Sequence, residues 1–199
     1  NPCSPLLESL LEDLLKRGVI DEVLHYEPKV FNPLEKVQLL STTARPQEYG
    51  GHPEAIADQF LNELTKRDIG RMKCLQNGCT HFVSMDCDEY YLVDELEKAK
   101  KKILAKDLDA TFCWMRTYFK EPVYEYDPPD KMNSVPFIYK CTKENVFKLA
   151  ANYEPYMLDP TRRVEGTKKR YHFERNEIEM HHMTFIRKDM RKKITNVSN

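Results

Sequence analysis

The sequence predicts an α/β protein folded as a single domain over residues 1–199. Two observations carry this. The chain opens with an amphipathic helical stretch, a glycine and a short apolar stretch, the repeating unit of an α/β sheet. Helical patterns then alternate with short β-branched and aromatic runs to the end, without internal repeats or low-complexity tracts. At 199 residues the chain suits one domain of ordinary size and is short for two.

Taken in order, Ser4 is a good N-cap and Pro5 suits the first helical position. Leu6, Leu7, Leu10, Leu11, Leu14 and Leu15 form one helical stripe, and Gly18 ends it. Val19–Glu27 reads as a strand stopped by Pro28. Phe31–Gly51 lacks a clean period and reads as a loop with short structure. Pro53 opens a long helix whose apolar side runs from Ile56 to Leu75, ended by Asn77-Gly78. Thr80–Met85 is a short strand, and Val93–Ala105 the next helix. Asp109–Phe119 is a β-branched and aromatic strand; the prolines of Glu121–Asn133 make that segment a loop. Val135–Lys140 is a strand, Lys143–Ala150 a short helix and Tyr156–Leu158 an extended piece. Arg162–Arg175 is basic and aperiodic, as a mobile loop would be. Ile178–Ile186 is a strand and Arg187–Thr195 a basic helix.

Charge excludes some classes of function. Lys+Arg total 31 and Asp+Glu 32, so the net charge of -1 argues against a nucleic-acid partner. No apolar run reaches the roughly 18–20 residues of a transmembrane span. Asn1–Gly18 carries Glu8, Glu12 and Asp13, unlike a signal peptide. The six cysteines show neither a CxxC pair nor zinc spacing, so they are expected to be reduced thiols in a cytoplasmic protein.

The strongest chemical signal is Ser84-Met85-Asp86-Cys87-Asp88-Glu89. Two carboxylates one residue apart follow a buried strand, where α/β sheets bind ligands. A bend there can turn both toward a hard divalent cation that keeps positions open for phosphate. The plainer alternative is a solvated turn capping the next helix. Within Ile178–Ile186, His181 and His182 point to opposite faces, so at most one reaches a given site. Arg162, Arg163, Lys168, Lys169 and Arg170 are either a solvated loop or a lid closing on a diphosphate, with Gly166 as its flexible point. Trp114 is either core or a platform for a sugar ring.

These residues together resemble the GT-A glycosyltransferases, in particular the family-2-like branch with a D-x-D-E-[FY] motif. A helix and apolar strand lead into Asp86, Cys87, Asp88, Glu89 and Tyr90; Phe112-Cys113-Trp114-Met115-Arg116 matches the Trp-containing strand. His182-Met183-Thr184-Phe185-Ile186-Arg187 matches a late His-aromatic pattern loosely, and the likeness spans roughly Ser4–Lys193. It implies a GT-A-like, Rossmann-related mixed sheet flanked by helices, with the N-terminal strand or strands missing from the chain, since no apolar strand precedes Ser4. Glu27, at the end of the first expected strand, is a candidate for the family's acidic residue on the nucleobase side, and no Gly-rich acceptor motif follows Trp114.

The implied activity is transfer of a sugar from a UDP- or GDP-sugar to a glycan or other hydroxyl acceptor. Mn²⁺ or Mg²⁺ would sit on Asp88 and His182, or else His181, with Asp86 on the ion or the ribose. Arg162 and Arg163 would hold the diphosphate and Trp114 the acceptor. Asp159 is the favoured general base, with Glu125 and Asp127 as alternatives. A metal-dependent nucleotidyltransferase and a degenerate, non-catalytic binding module are the competing readings.

Overall fold

The computed structural model describes residues 5–42, 53–125, 133–149 and 159–186. Its elements are α1 (Pro5–Lys16), α2 (Pro33–Thr42), α3 (Pro53–Gln76), β1 (His81–Val83), β2 (Glu89–Tyr90), α4 (Val93–Lys106), β3 (Ala110–Phe119), β4 (Glu121–Glu125), β5 (Ser134–Lys140), a 3₁₀ turn at Pro160–Arg162, β6 (Arg170–His172) and β7 (Glu179–Phe185). Among the described residues the architecture is mixed α/β: one mixed seven-stranded sheet flanked by helices.

The longest strand organises the sheet. β3 has ten residues, enough to take two neighbours on each edge. β5 and then β4 pair antiparallel on one side; β6 and then β7 pair parallel on the other. β1 closes one end against β5, and β2 the other against β7, both antiparallel. On one face Ala99 and Ile103 of α4 pack on Cys113, Met115, Phe137 and Met180. On the other, Leu64 and Leu75 of α3 pack on Phe82, Tyr139 and Phe147. The sheet thus lies between α3 and α4.

Several expectations are corrected. Val19–Glu27 is not a strand. It runs beside α3, where buried Asn62 Oδ1 accepts from Tyr26 Oη (2.6 Å); just beyond Pro28 the same side chain accepts from Lys29 N–H (2.8 Å) and donates to Lys29 O. The segment after Phe31, expected to be a loop with short structure, contains the ten-residue helix α2. Asn32 and Glu35 form a reciprocal capping box, each accepting the other's backbone N–H at 3.0 Å, and Pro33 opens the helix. Part of the expected 121–133 loop is β4, an exposed edge strand that tolerates Pro122.

Residues 143–149 form no helix. Their backbone pairs with the basic segment instead: Phe147 bridges Val164, Lys148 N–H donates to Arg163 O, and Glu165 N–H to Val146 O. The basic segment itself is docked. β6 joins β3, Lys168 and Lys169 N–H both donate to Asp109 Oδ2, and Arg162 is 1% exposed. Gly166 adopts φ +82°, and a Cβ there would lie 2.8 Å from Glu144 O, so this is a close-packed turn rather than a hinge.

The leucine stripe of α1 forms as expected, yet no residue of that helix is buried, and Leu6 is 82% exposed. Among the described residues no helix is long and apolar enough to cross a membrane. The expected Tyr156–Leu158 piece, the Arg187–Thr195 helix, the Ser4 cap and Asp127 lie outside the described residues.

Candidate functional site

The acidic motif leaves the sheet where β1 ends. Ser84 N–H still donates to Phe137 O of β5, and the chain then turns. Asp86 N–H donates to Glu89 Oε2 and Glu89 N–H to Asp86 O, both at 3.1 Å. This tight turn sends its side chains apart. Asp86 faces α3 and the 3₁₀ turn, whereas Asp88 faces β7. The expected convergence of both carboxylates on one point does not occur, and among the described residues no group of three His, Cys, Asp or Glu side chains is placed to hold a metal ion.

On the α3 side two arginines hold three carboxylates. Arg162 grips Glu89 with both terminal nitrogens, at 2.9 and 2.6 Å, and its Nη2 also lies 2.7 Å from Asp86 Oδ2. Its Nε is 3.3 Å from Asp159 Oδ2 but lacks hydrogen-bond alignment. Arg67 of α3 donates to Ser84 Oγ (2.9 Å), Asp159 Oδ2 (2.9 Å) and Thr161 Oγ1 (3.2 Å), and reaches Asp86 Oδ1 at 3.4 Å. Burial opposes the charge on Asp86, but Arg162 and Arg67 outweigh it and hold the carboxyl below its ordinary range. Burial likewise opposes the charge on Arg162, and Glu89, Asp86 and Asp159 together keep it protonated.

Asp159, the favoured base, is tied at both oxygens. Oδ1 caps the 3₁₀ turn by accepting Thr161 N–H (2.8 Å) and Oγ1 (2.7 Å), while Oδ2 receives Arg67. Glu125, an alternative base, is clamped by Arg116 Nη1 at 2.7 and 2.9 Å.

On the other side, antiparallel pairing of β2 with β7 sets Glu89 opposite His182 and Tyr90 opposite His181. Met183 N–H donates to Asp88 O at 2.8 Å. This register brings His182 Nε2 to 3.7 Å from Asp88 Oδ2, across a gap of 94 positions in the chain. His181 points elsewhere, its Nδ1 lying 2.6 Å from Tyr118 Oη. Strand alternation therefore separates the two imidazoles, as expected. The pair Asp88–His182 is a mixed oxygen–nitrogen donor set that suits Mn²⁺ better than the oxygen-preferring Mg²⁺.

A cavity of about 360 Å³ runs between α3 and β1 and reaches Asp86; Lys66, Arg67, Arg71, Cys74 and Phe82 contribute to its wall. A larger one, about 580 Å³, lies across α3 against Leu24, Ile69 and Met72, away from the acidic motif. Trp114 does not offer a bare ring: the Arg175 guanidinium lies 5.2 Å from its centroid and the His172 ring 4.6 Å. Arg163 is half-buried, and its Nε has no hydrogen-bond partner among the described residues.

Arg67 and the side-chain role of Glu89 were missed by sequence reasoning. A signal existed for the first: Arg67 and Arg71 share a helical stripe with Leu64 and Cys74, so they face the sheet. Comparison of the chain with family models, with curated proteins and with solved structures finds no match in any of the three.

Proposed function

We infer that the protein is a GT-A-like glycosyltransferase that moves a sugar from a nucleotide-sugar to a hydroxyl acceptor. The observation that carries this reading is the β2–β7 register, which brings His182 to Asp88 of the D-x-D-E motif. Asp88 and His182 would hold Mn²⁺, which when bound supplies positive charge for the departing nucleoside diphosphate. Two protein ligands leave positions open for phosphate oxygens. The cavity along α3 admits the nucleoside half of the donor, and Lys66 at its wall adds a cation. Asp86, Glu89 and Asp159 serve to fix Arg67 and Arg162, so Asp159 positions these arginines rather than taking a proton.

One observation favours a second reading, a non-catalytic binding module. Arg67 and Arg162 already satisfy Asp86, Glu89 and Asp159, as in a purely structural cluster. Incubation with UDP- and GDP-sugars and Mn²⁺, with release of nucleoside diphosphate followed over time, separates the two. Metal-dependent release that Asp88→Asn abolishes supports the transferase. Ligand-induced thermal stabilisation without release supports the module, and neither effect with any donor refutes both.

A further inference from the structure

The C-terminus of α3 brings two thiols together. Gly78 takes φ +72°, its N–H donates to Leu75 O (3.1 Å), and Cys79 N–H donates to Cys74 O (3.0 Å). This pair of bonds defines a Schellman cap, whose geometry packs the side chain just beyond the glycine on the one a helical turn before it. Here those two side chains are Cys79 and Cys74, and the Cys79 thiol is near enough to help raise the Cys74 pKa. A third thiol is near: Cys141 N–H donates to Thr80 O (2.9 Å), and its Sγ lies 3.9 Å from Arg71 O. All are free; Cys79 is exposed, Cys74 half-buried and Cys141 buried. Cys74 also lines the cavity that reaches Asp86.

We propose that Cys74 and Cys79 form a reversible dithiol–disulfide pair, a modification site at the wall of the Asp86 cavity. The oxidant is a small-molecule disulfide such as oxidised glutathione. The exposed Cys79 thiolate attacks one of its sulfurs, forming a mixed disulfide and expelling one thiolate. Cys74 then loses its proton to solvent and attacks Cys79 Sγ, forming the intramolecular bond and expelling the second thiolate. Two protein thiols are oxidised and one external disulfide is reduced to two thiols. Burial, then the neighbouring thiols, raise the Cys74 pKa, which places Cys74 second in this order. Cys87, exposed on the acidic turn, is the control thiol.

The test uses the full reduced chain, incubated with oxidised glutathione under native conditions. Remaining thiols are then alkylated and the linkage mapped by fragment mass spectrometry. The expected product is a Cys74–Cys79 disulfide, short of two hydrogens, reversed by dithiothreitol and still formed in Cys87→Ser and Cys141→Ser. Cys74→Ser should trap glutathione on Cys79. A bond between Cys79 and Cys141, or glutathione persisting on Cys79 in the unmodified chain while Cys74 remains alkylated, overturns the proposal. The linkage is read without reference to sugar transfer, so its failure leaves the transferase reading to its own assay.

Discussion

Replacing Arg162 with Met tests whether the acidic motif rests on a buried ion pair. Arg162 is 1% exposed and the Glu89 side chain 5%, so solvent screens neither charge. Breaking a buried pair by removing one partner costs about 3–5 kcal/mol, because the other charge is left uncompensated. Glu89 keeps the Asp86 N–H as a donor, which favours the lower part of that range. Asp86 and Asp159 are 48% and 30% exposed, and solvent limits their loss to under about 1 kcal/mol between them. Arg162→Met is therefore expected to cost about 3–4 kcal/mol. With a urea m value of about 2 kcal/mol/M, the unfolding midpoint falls by roughly 1.5–2 M. Adding Glu89→Gln removes the stranded charge and should return about 1 kcal/mol or more. A mobile-lid cation would behave like a surface residue, with a change within about 0.5 kcal/mol. A midpoint unmoved in Arg162→Met, or a double variant less stable than Arg162→Met alone, would refute the buried-pair argument.

Three further outcomes follow from the same geometry. In Mn²⁺ titrations followed by electron paramagnetic resonance, His182→Ala should weaken binding about tenfold or more. His181→Ala, which loses only the Tyr118 contact, should leave binding unchanged; equal effects would count against the Asp88–His182 site. Gly166→Ala should destabilise by about 2 kcal/mol through positive φ and the clash with Glu144 O, whereas an open hinge would accept it nearly free of cost. Burial holds the His172 pKa below its ordinary 6.5, so the unfolded chain takes up this proton more readily. Its contribution is complete above that value and is lost as pH falls through it, so the melting temperature should drop from about pH 7 to pH 5. His172→Gln should flatten part of that slope, and an unaltered slope would remove His172 as a cause.

What the sequence displayed well was periodic or bounded. The α3 stripe, the Val93 helix, the aromatic strand through Trp114 and the His181–His182 strand all fall close to their expected places. What it hid depended on partners distant in the chain. Val19–Glu27 has strand composition but joins no strand; it is held beside α3 by Tyr26 on Asn62, which also pairs with the Lys29 backbone just beyond it. Lys143–Ala150 carries helical residues, yet residues 146–148 pair with 163–165. The capping box of Asn32 and Glu35 is legible in the sequence, but no clean apolar period follows it to mark a helix. Five clustered cations looked mobile because their counter-charges, Glu89, Asp107 and Asp109 among them, sit far away in sequence. For the site, strand alternation correctly divided His181 from His182, but spacing alone placed Asp86 and Asp88 on one target. The turn closed by Asp86 and Glu89 decides otherwise.

Glu89 joins the two halves that this turn separates. Its backbone lies in β2 opposite His182, so it sets the register that brings the imidazole to Asp88. Its carboxylate holds Arg162, which in turn reaches Asp86 and Asp159. β2 has only two residues, too few for pairing alone to fix a register firmly. The buried side-chain pair supplies what the short ladder lacks: sliding the strand by one position would turn Glu89 away from Arg162 and strand both charges. On this account the acidic residue after the two aspartates is the one that makes the cluster a single unit. The ion-pair network thereby contributes to the Asp88–His182 geometry.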